Sequence, residues 1–374
     1  MTGVGWDVGL DWPGLPPLDG DRTADACVVG LGASGLAAVE ELVARGLSVV
    51  GVDAGRVAAG AAGRNGGFLL GGGAPFLHDA VRQWGEQPAV ELYRTTLREL
   101  DRLAALLGPA IVRRVGSVRL AGLPGAPDDA ELADCAEQEA ALRAHGIAVE
   151  QYDGELGRGL FLPDDAAMNP ARRALGLAET LRARAALHER TRVSTVDSKR
   201  VATDHGVVDA GLVIVAVDGR LEALLPQLVD RVRTARLQML ATAPLPARLP
   251  CPVYGRWGYD YAQQDADGRL YVGGGRDHHV DDEWTLDAAP TADVQAWIET
   301  VAERMAAGPV GVTHRWAASV GYTSDGRPLC VETAPGVVAV GGYSGTGNLA
   351  GPAAARAAVA LALDGTPPPA WCAG

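Results

Sequence analysis

From Ala24 the chain reads as a short apolar run, a glycine turn, and then Leu36, Val39, Leu42 and Val43 spaced along one helix face. A second apolar run ends at Asp53. The change from contiguous to helical spacing and back predicts a strand–helix–strand unit. Gly46, directly after Arg45, stands where a helix C-cap is expected. Residues 76–107 carry a long helical pattern with Val90, Leu92, Tyr93, Leu97, Leu100 and Leu103, followed by a strand-like stretch over 112–120 and a helix over about 129–145. From Asn169 a helix is expected to about Leu187, then short strands near 193–196 and 201–203 and an apolar strand over 212–217. Residues 236–275 are rich in aromatics and strand formers, a helix follows near 291–307, and the C-terminal region returns to strand, glycine turn and helix. No internal repeat is visible, so the pattern describes a chain that weaves between two domains.

Composition narrows the class. The chain has 374 residues, 48% of them hydrophobic, with mean hydropathy near zero, the profile of a globular protein. No apolar run reaches the roughly 20 residues of a membrane helix. The first 22 residues lack the basic and apolar regions of a secretory signal, and a cytoplasmic location is expected. The net charge of −13 disfavours nucleic acid as a partner, because binding there neutralises phosphates. The Arg-rich stretch 182–192 reads as a solvated helix face. Five dispersed cysteines support neither a disulfide framework nor a zinc site. His278, His279, Asp281 and Asp282 read as a solvated turn, so no metal is expected. Lys199 is the sole lysine.

Gly30, Gly32 and Gly35 form G-x-G-x-x-G between the first strand and the helix. The first glycine permits the turn, the second admits a pyrophosphate, and the third allows close helix packing. The helix N-terminus supplies open N–H groups at Ala33 and Ser34. Asp53, followed by Ala54, stands at the spacing of the carboxylate that accepts from a ribose hydroxyl and repels a 2′-phosphate. These features predict a dinucleotide and leave NAD and FAD open.

The next segment, Gly60-Ala-Ala-Gly63-Arg64-Asn65-Gly66-Gly67-Phe68, resembles the GASGRNGGF loop of FAD-dependent amine oxidoreductases of the D-amino-acid-oxidase / glycine-oxidase superfamily, including the gamma-glutamylputrescine oxidase-like branch. Further segments resemble family motifs in order: Met168-Asn169-Pro170, the DGR turn at Asp267-Gly268-Arg269 with Gly273-Gly274-Gly275-Arg276, Thr323 to Pro328, and Gly341 to Asn348. The resemblance implies FAD as cofactor and an α/β fold, a Rossmann-like FAD-binding domain with a second, mixed-sheet α+β substrate domain. The FAD domain would be discontinuous (20–75, 160–232 and 310–365), the substrate domain would comprise 76–159 and 233–309, and residues 1–19 would be an N-terminal extension. Gly63, Arg64, Asn65, Gly66 and Gly67 would pass along the flavin, Val193 would lie near its adenine end, and Gly345, Thr346, Gly347 and Asn348 would meet its pyrimidine. A helix dipole there would stabilise charge developing on reduction.

The implied reaction moves a hydride from a C–H next to nitrogen to flavin N5 and leaves an imine, with O2 as acceptor and hydrogen peroxide as product. The partners are then a small amine or amino-acid-like substrate and O2 or another electron acceptor. Tyr259, Tyr261, Arg276 and Trp316, together with Trp257, are the candidates for facing the substrate. The chain departs from the family at Val320, Gly345 and Leu349, where relatives carry cations that grip a substrate carboxylate. Arg64, Arg256 and Arg276 remain for that task. Ala318 replaces the cysteine that links flavin covalently in monomeric sarcosine oxidases. The lone lysine keeps open a dehydrogenase or desaturase using another acceptor. An NAD-dependent dehydrogenase would not need the later glycine motifs, and a catalytically silent FAD-binding module is a third class.

Overall fold

The computed structural model describes residues 3–373. The chain divides into two compact units. One holds the residues up to Gly9, Arg64–Pro170 and Arg236–Ala318; the other holds Leu10–Gly63, Ala171–Ala235 and the residues from Ser319 on.

In the second unit, strand Arg22–Val29 lies between Val49–Val52 and Gly206–Val215, parallel to both. Ala186–His188 extends the sheet beyond Val49–Val52, and Val337–Gly341 also runs parallel to Gly206–Val215. Antiparallel strands Arg200–Thr203, Val193–Asp197 and Leu329–Ala334 complete it. The C-terminal halves of the central strands, Ala26–Val29 and Leu212–Val215, are apolar and buried because both faces are covered there; Cys27, Val29, Val50, Val52, Val213 and Val215 form one core. Helices Ala33–Ala44 and Ala350–Asp364 pack against each other, and Arg356 joins them by ion pairs to Glu40 and Glu41 at 3.0 and 3.1 Å. Gly46 ends the first helix with φ +84, the left-handed cap anticipated there. Segment 12–18 is tied down by buried Glu189, which accepts from Trp12 Nε1, Leu15 N and Val57 N.

The other unit is built on an eight-stranded sheet in the order Val312–Tyr322, Arg233–Pro244, Arg269–Gly273, Asp260–Gln264, Val253–Gly255, Ser117–Leu120, Gly157–Leu162, Glu150–Gly154. Helix Ala292–Ala306 sets Ile298, Val301 and Met305 in one core with Val118, Leu240 and Val272. Leu160 and Leu162 share a second core with residues of helices Leu77–Trp84 and Asp129–Ala144. The mixed α/β class is as expected.

Three local expectations are corrected. The pattern over 76–107 is two helices, Leu77–Trp84 and Glu86–Leu107, because Gly85 adopts φ +89 between them. The helix after Asn169 is Pro170–Leu181 and does not reach Leu187. Residues 186–188 pair instead with Val50–Val52, so the Arg-rich stretch 182–192 is a turn and a strand and not a helix face. Among the described residues no helix is long and apolar enough to cross a membrane.

Candidate functional site

The three fingerprint glycines divide their work by the space around each. Gly30 has φ +93, and a Cβ there would stand 2.8 Å from Ala216 O. A Cβ on Gly35 would collide with Gly30 O. Gly32 differs, since its nearest neighbour would be Ala62 Cβ at 3.4 Å. Two glycines therefore satisfy the fold, and the third keeps an approach to the helix clear. Gly32 is the N-cap of Ala33–Ala44 and no side chain caps that end, so its first N–H groups and positive dipole end face outward from the turn. Ser34 is buried and its Oγ donates to Tyr343 Oη at 2.7 Å.

Asp53 follows the strand Val49–Val52 and is half-buried. Its Oδ2 accepts from Leu31 N at 2.8 Å and its Oδ1 from Gly55 N at 2.9 Å. Burial holds its carboxyl above the usual range, against the pull of these two amide donors. Ala54 beside it is exposed. Val193 begins an edge strand and is half-buried.

Gly345 (φ +96) follows Ser344, itself at φ +51. Thr346 closes the turn through its N and Oγ1, which donate to Tyr343 O at 2.9 and 2.8 Å. A Cβ on Gly347 would press on the Tyr343 ring, and Asn348 O accepts from Arg173 Nη2 at 3.1 Å. Helix Ala350–Asp364 starts from there with no side-chain cap. Asp218, in the left-handed region at φ +52, accepts from Gly321 N at 3.2 Å and Tyr343 N at 3.3 Å. Burial pushes its carboxyl up to about 6. Val320 and Leu349 are buried.

In the other unit, residues 64–67 are gripped on several sides. Arg64 Nη1 donates to Ala317 O at 3.0 Å, Trp316 Nε1 to Arg64 O at 2.8 Å, and Trp6 Nε1 to Asn65 O at 2.8 Å. Asn65 Oδ1 accepts from Gly67 N at 2.8 Å, and Gln263 Nε2 donates to Gly66 O. A Cβ on Gly66 would meet the Tyr261 ring at 3.0 Å. Gly67 has φ +74, and its O accepts from Met168 N at 2.9 Å. Gly63 sits in the one-turn helix Ala61–Arg64, where a Cβ would collide with Ala58 O.

The candidate substrate-facing residues separate. Tyr261 covers Gly66 and meets Phe68 edge-on with centroids 5.8 Å apart. Trp316 is buried and supports Arg64. Tyr259 and Trp257 are 44% and 43% exposed at the turn after Val253–Gly255, where Arg256 and Trp257 both have positive φ. Arg256 is bound by Asp260 at 2.6 Å and by Asp277. Arg276 lies 4.3 Å from the Trp284 ring centre and begins a short helical turn, so the segment 276–283 is two short helices ending in buried Glu283. Trp6, Gln263, Tyr343 and Asp218 were given no site role from the sequence. Tyr343 lay inside the Gly341 to Asn348 motif and Trp6 stood as an aromatic near the N-terminus, so both carried a visible signal.

A family model described as FAD dependent oxidoreductase matches residues 25–361. The chain belongs to this family. It is an FAD-dependent oxidoreductase, as the glycine segments had implied. The family's relatives include a probable oxidoreductase OrdL of Rhizobium meliloti (strain 1021), 27% identical over 90% of this chain and 82% of that protein. Gamma-glutamylputrescine oxidoreductase of Escherichia coli (strain K12) is 27% identical over 69% of this chain and 66% of its own length. In fold the chain is similar to glycine oxidase from Geobacillus kaustophilus, with a TM-score of 0.72 and 20% identity over 92% of this chain and 96% of that one. It is also similar to L-proline dehydrogenase from P. horikoshii, with a TM-score of 0.73 and 17% identity over 95% and 96%. FAD fits the family's cradle here: the open side of Gly32, the uncapped helix end and the half-buried Asp53 carboxylate are what a dinucleotide needs.

Proposed function

We propose that this protein oxidises a C–N bond of an amine or amino-acid-like substrate, with O2 as acceptor and hydrogen peroxide as product. FAD, when bound, would supply a two-electron acceptor for the hydride of the substrate C–H next to nitrogen, and hydrolysis of the resulting imine by water would give a carbonyl compound and an amine or ammonia. Gly30, Gly32, Ala33, Ser34, Gly35, Asp53 and Ala54 hold the dinucleotide part, with Val193 toward the adenine. Gly63, Arg64, Asn65, Gly66 and Gly67, and Gly345, Thr346, Gly347 and Asn348, hold the ring system. The observation that carries the reading is the family match together with a relative named for an amine-bearing compound, gamma-glutamylputrescine.

The chain's own groups act by placement. The grip of Trp6, Trp316 and Gln263 on residues 64–67 fixes backbone donors and acceptors before the cofactor arrives, so little reorganisation accompanies reaction. Tyr261, packed on Gly66, shields that segment from water on one side. No side chain need act as a strong base when the amine arrives neutral.

A second reading, a dehydrogenase that uses an acceptor other than O2, is favoured by one observation: Lys199, the sole lysine, is exposed on the turn between Val193–Asp197 and Arg200–Thr203. The two readings are separated by product analysis in air with the natural flavoprotein. One carbonyl product and one hydrogen peroxide per amine consumed supports the oxidase. Carbonyl product formed only with an added dye acceptor supports the dehydrogenase, and no carbonyl product from any amine overturns both.

A further inference from the structure

The arginines expected to grip a substrate all have work in the fold. Arg256 is held by two aspartates, Arg64 by a carbonyl, and Arg276 by a tryptophan face. A fourth arginine, not singled out by the sequence, is placed differently. Arg119 stands in strand Ser117–Leu120 and is 1% exposed. Its Nη2 pairs with Asp134, whose other oxygen is 3.0 Å from His78 Nε2. Among the described residues its Nε and Nη1 have no hydrogen-bond partner, although both are buried.

A guanidinium is donor-only, and burying two of its nitrogens, with three N–H groups between them, without acceptors is costly unless something supplies them. The surroundings offer little. Phe76 covers one face with its ring centre 3.5 Å from Arg119 Cζ, and Glu131 and Cys135 are near enough to be influenced by the charge without bonding to these atoms. Glu131 already accepts from Gly122 N and Trp257 N. The cluster His78, Asp79 and Asp134 has a metal-like composition, but Arg119 already occupies Asp134, which makes a cation there unfavourable.

Register places Arg119 in a row that leads to residues 64–67. Tyr254 is the cross-strand partner of both Arg119 and Tyr261, so the three share one face of the sheet. Tyr261 then packs on Gly66. Neighbouring strands are about 4.8 Å apart, so two steps separate the Arg119 and Tyr261 backbones by roughly 10 Å. That span suits the far end of a substrate better than an α-carboxylate.

We propose that Arg119 reads an acyl oxygen, of a carboxylate or an amide, at the end of the substrate remote from the oxidised amine. Asp134 already balances the guanidinium charge, so the acceptor need not be charged. Phe76 is half-buried and follows Gly71–Gly73 and Pro75 in sequence; admitting this group requires its ring to turn off the guanidinium it now covers. The proposal rests on the amine-oxidising reading above and names the substrate class for it.

The test compares hexylamine, 6-aminohexanoate and 6-aminohexanamide on the FAD-loaded protein without oxygen, reading binding by calorimetry and, separately, bleaching of the flavin. In the natural protein both acyl probes are expected to bind at least tenfold tighter than hexylamine. In Arg119→Met the advantage shrinks to within twofold while hexylamine is unchanged, and Arg119→Lys restores part of it. Equal binding of all three probes by the natural protein, or an acyl advantage that survives in Arg119→Met, overturns the proposal. Should Arg119→Met fail to fold, Phe76→Ala decides: uncovering the guanidinium tightens the acyl probes alone, and an unchanged ratio to hexylamine overturns the proposal. Acyl-dependent binding without bleaching by any probe would leave the Arg119 site standing and contradict amine oxidation instead.

Discussion

Ser34 Oγ donates to Tyr343 Oη at 2.7 Å, and both side chains are buried. Ser34 lies in the first turn of the helix that follows the glycine fingerprint, and Tyr343 begins the turn that carries Gly345 and Gly347. Two glycine-rich segments from opposite ends of the chain are thereby held in one arrangement. Tyr343 N also donates to Asp218, so the same residue is fixed through main chain and side chain.

Tyr343→Phe removes the partner of a buried hydroxyl, which typically costs about 1–3 kcal/mol. The variant should unfold at lower temperature than the natural protein and release FAD more readily, because the loop loses its anchor to the helix. Thermal unfolding and FAD titration of the apoprotein check this. Unchanged values in both would show that the hydroxyl pair holds nothing in place.

Gly32→Val and Gly35→Val should fail in different ways. A Cβ at Gly32 would make only ordinary contact with Ala62 Cβ at 3.4 Å, whereas one at Gly35 collides with Gly30 O. Gly32→Val should yield folded, colourless protein, and Gly35→Val protein that folds poorly with or without FAD. Asp53→Ala should fold and bind FAD weakly, since a charge-assisted hydrogen bond is worth about 1.5–3 kcal/mol. Circular dichroism with the flavin-to-protein absorbance ratio separates these outcomes; a fully yellow Gly32→Val protein would contradict them.

Asp165 carries a pH prediction. It accepts from Ser117 Oγ at 2.6 Å and Gly71 N at 2.8 Å, and burial pushes its carboxyl up to about 7 from an ordinary 3.8. A raised folded-state value means that the folded protein holds the proton more tightly than the unfolded chain does. The associated stability is present below about pH 4 and lost as pH rises to about 7. Asp165→Asn keeps the shape and does not titrate, so its stability relative to the natural protein should rise between pH 5 and pH 8, by on the order of 2–4 kcal/mol. Urea unfolding at both pH values measures the difference, and a difference independent of pH would contradict the burial argument.

Lys199→Met should leave flavin reoxidation by O2 unchanged, because Lys199 is exposed on a turn at the sheet edge. Stopped-flow mixing of the reduced protein with oxygen checks this, and a slowed reoxidation would bring the lysine into the reaction.

What the sequence disclosed follows the range of the interactions concerned. The fingerprint unit was legible because its strand, turn, helix and Gly46 cap are local. The break at Gly85 was hidden inside a continuous helical pattern, although a glycine at φ +89 sets it. The end of the helix at Leu181 was illegible because residues 186–188 are claimed by a distant strand, Val49–Val52. Arg119 and Gln263 lie in short alternating strands, where a polar residue reads as solvent-facing until its sheet partners are known. Tyr259 and Tyr261 look equivalent in sequence, yet a turn with two positive φ values turns one outward while the other packs on Gly66.

The central claim, amine oxidation by an FAD enzyme that does not grip an α-carboxylate in the family's usual way, is tested most directly by stopped-flow flavin reduction without oxygen. The panel is hexylamine, 6-aminohexanoate, glycine and sarcosine. Val320 and Leu349, which the resemblance in sequence sets opposite carboxylate-gripping cations, are buried apolar residues, and a desolvated charge pair of that kind contributes roughly 2–5 kcal/mol. Rapid bleaching by the six-carbon amines is expected, with reduction by glycine and sarcosine slower by a hundredfold or more. Rapid bleaching by glycine or sarcosine, or no bleaching by any amine, would contradict the claim.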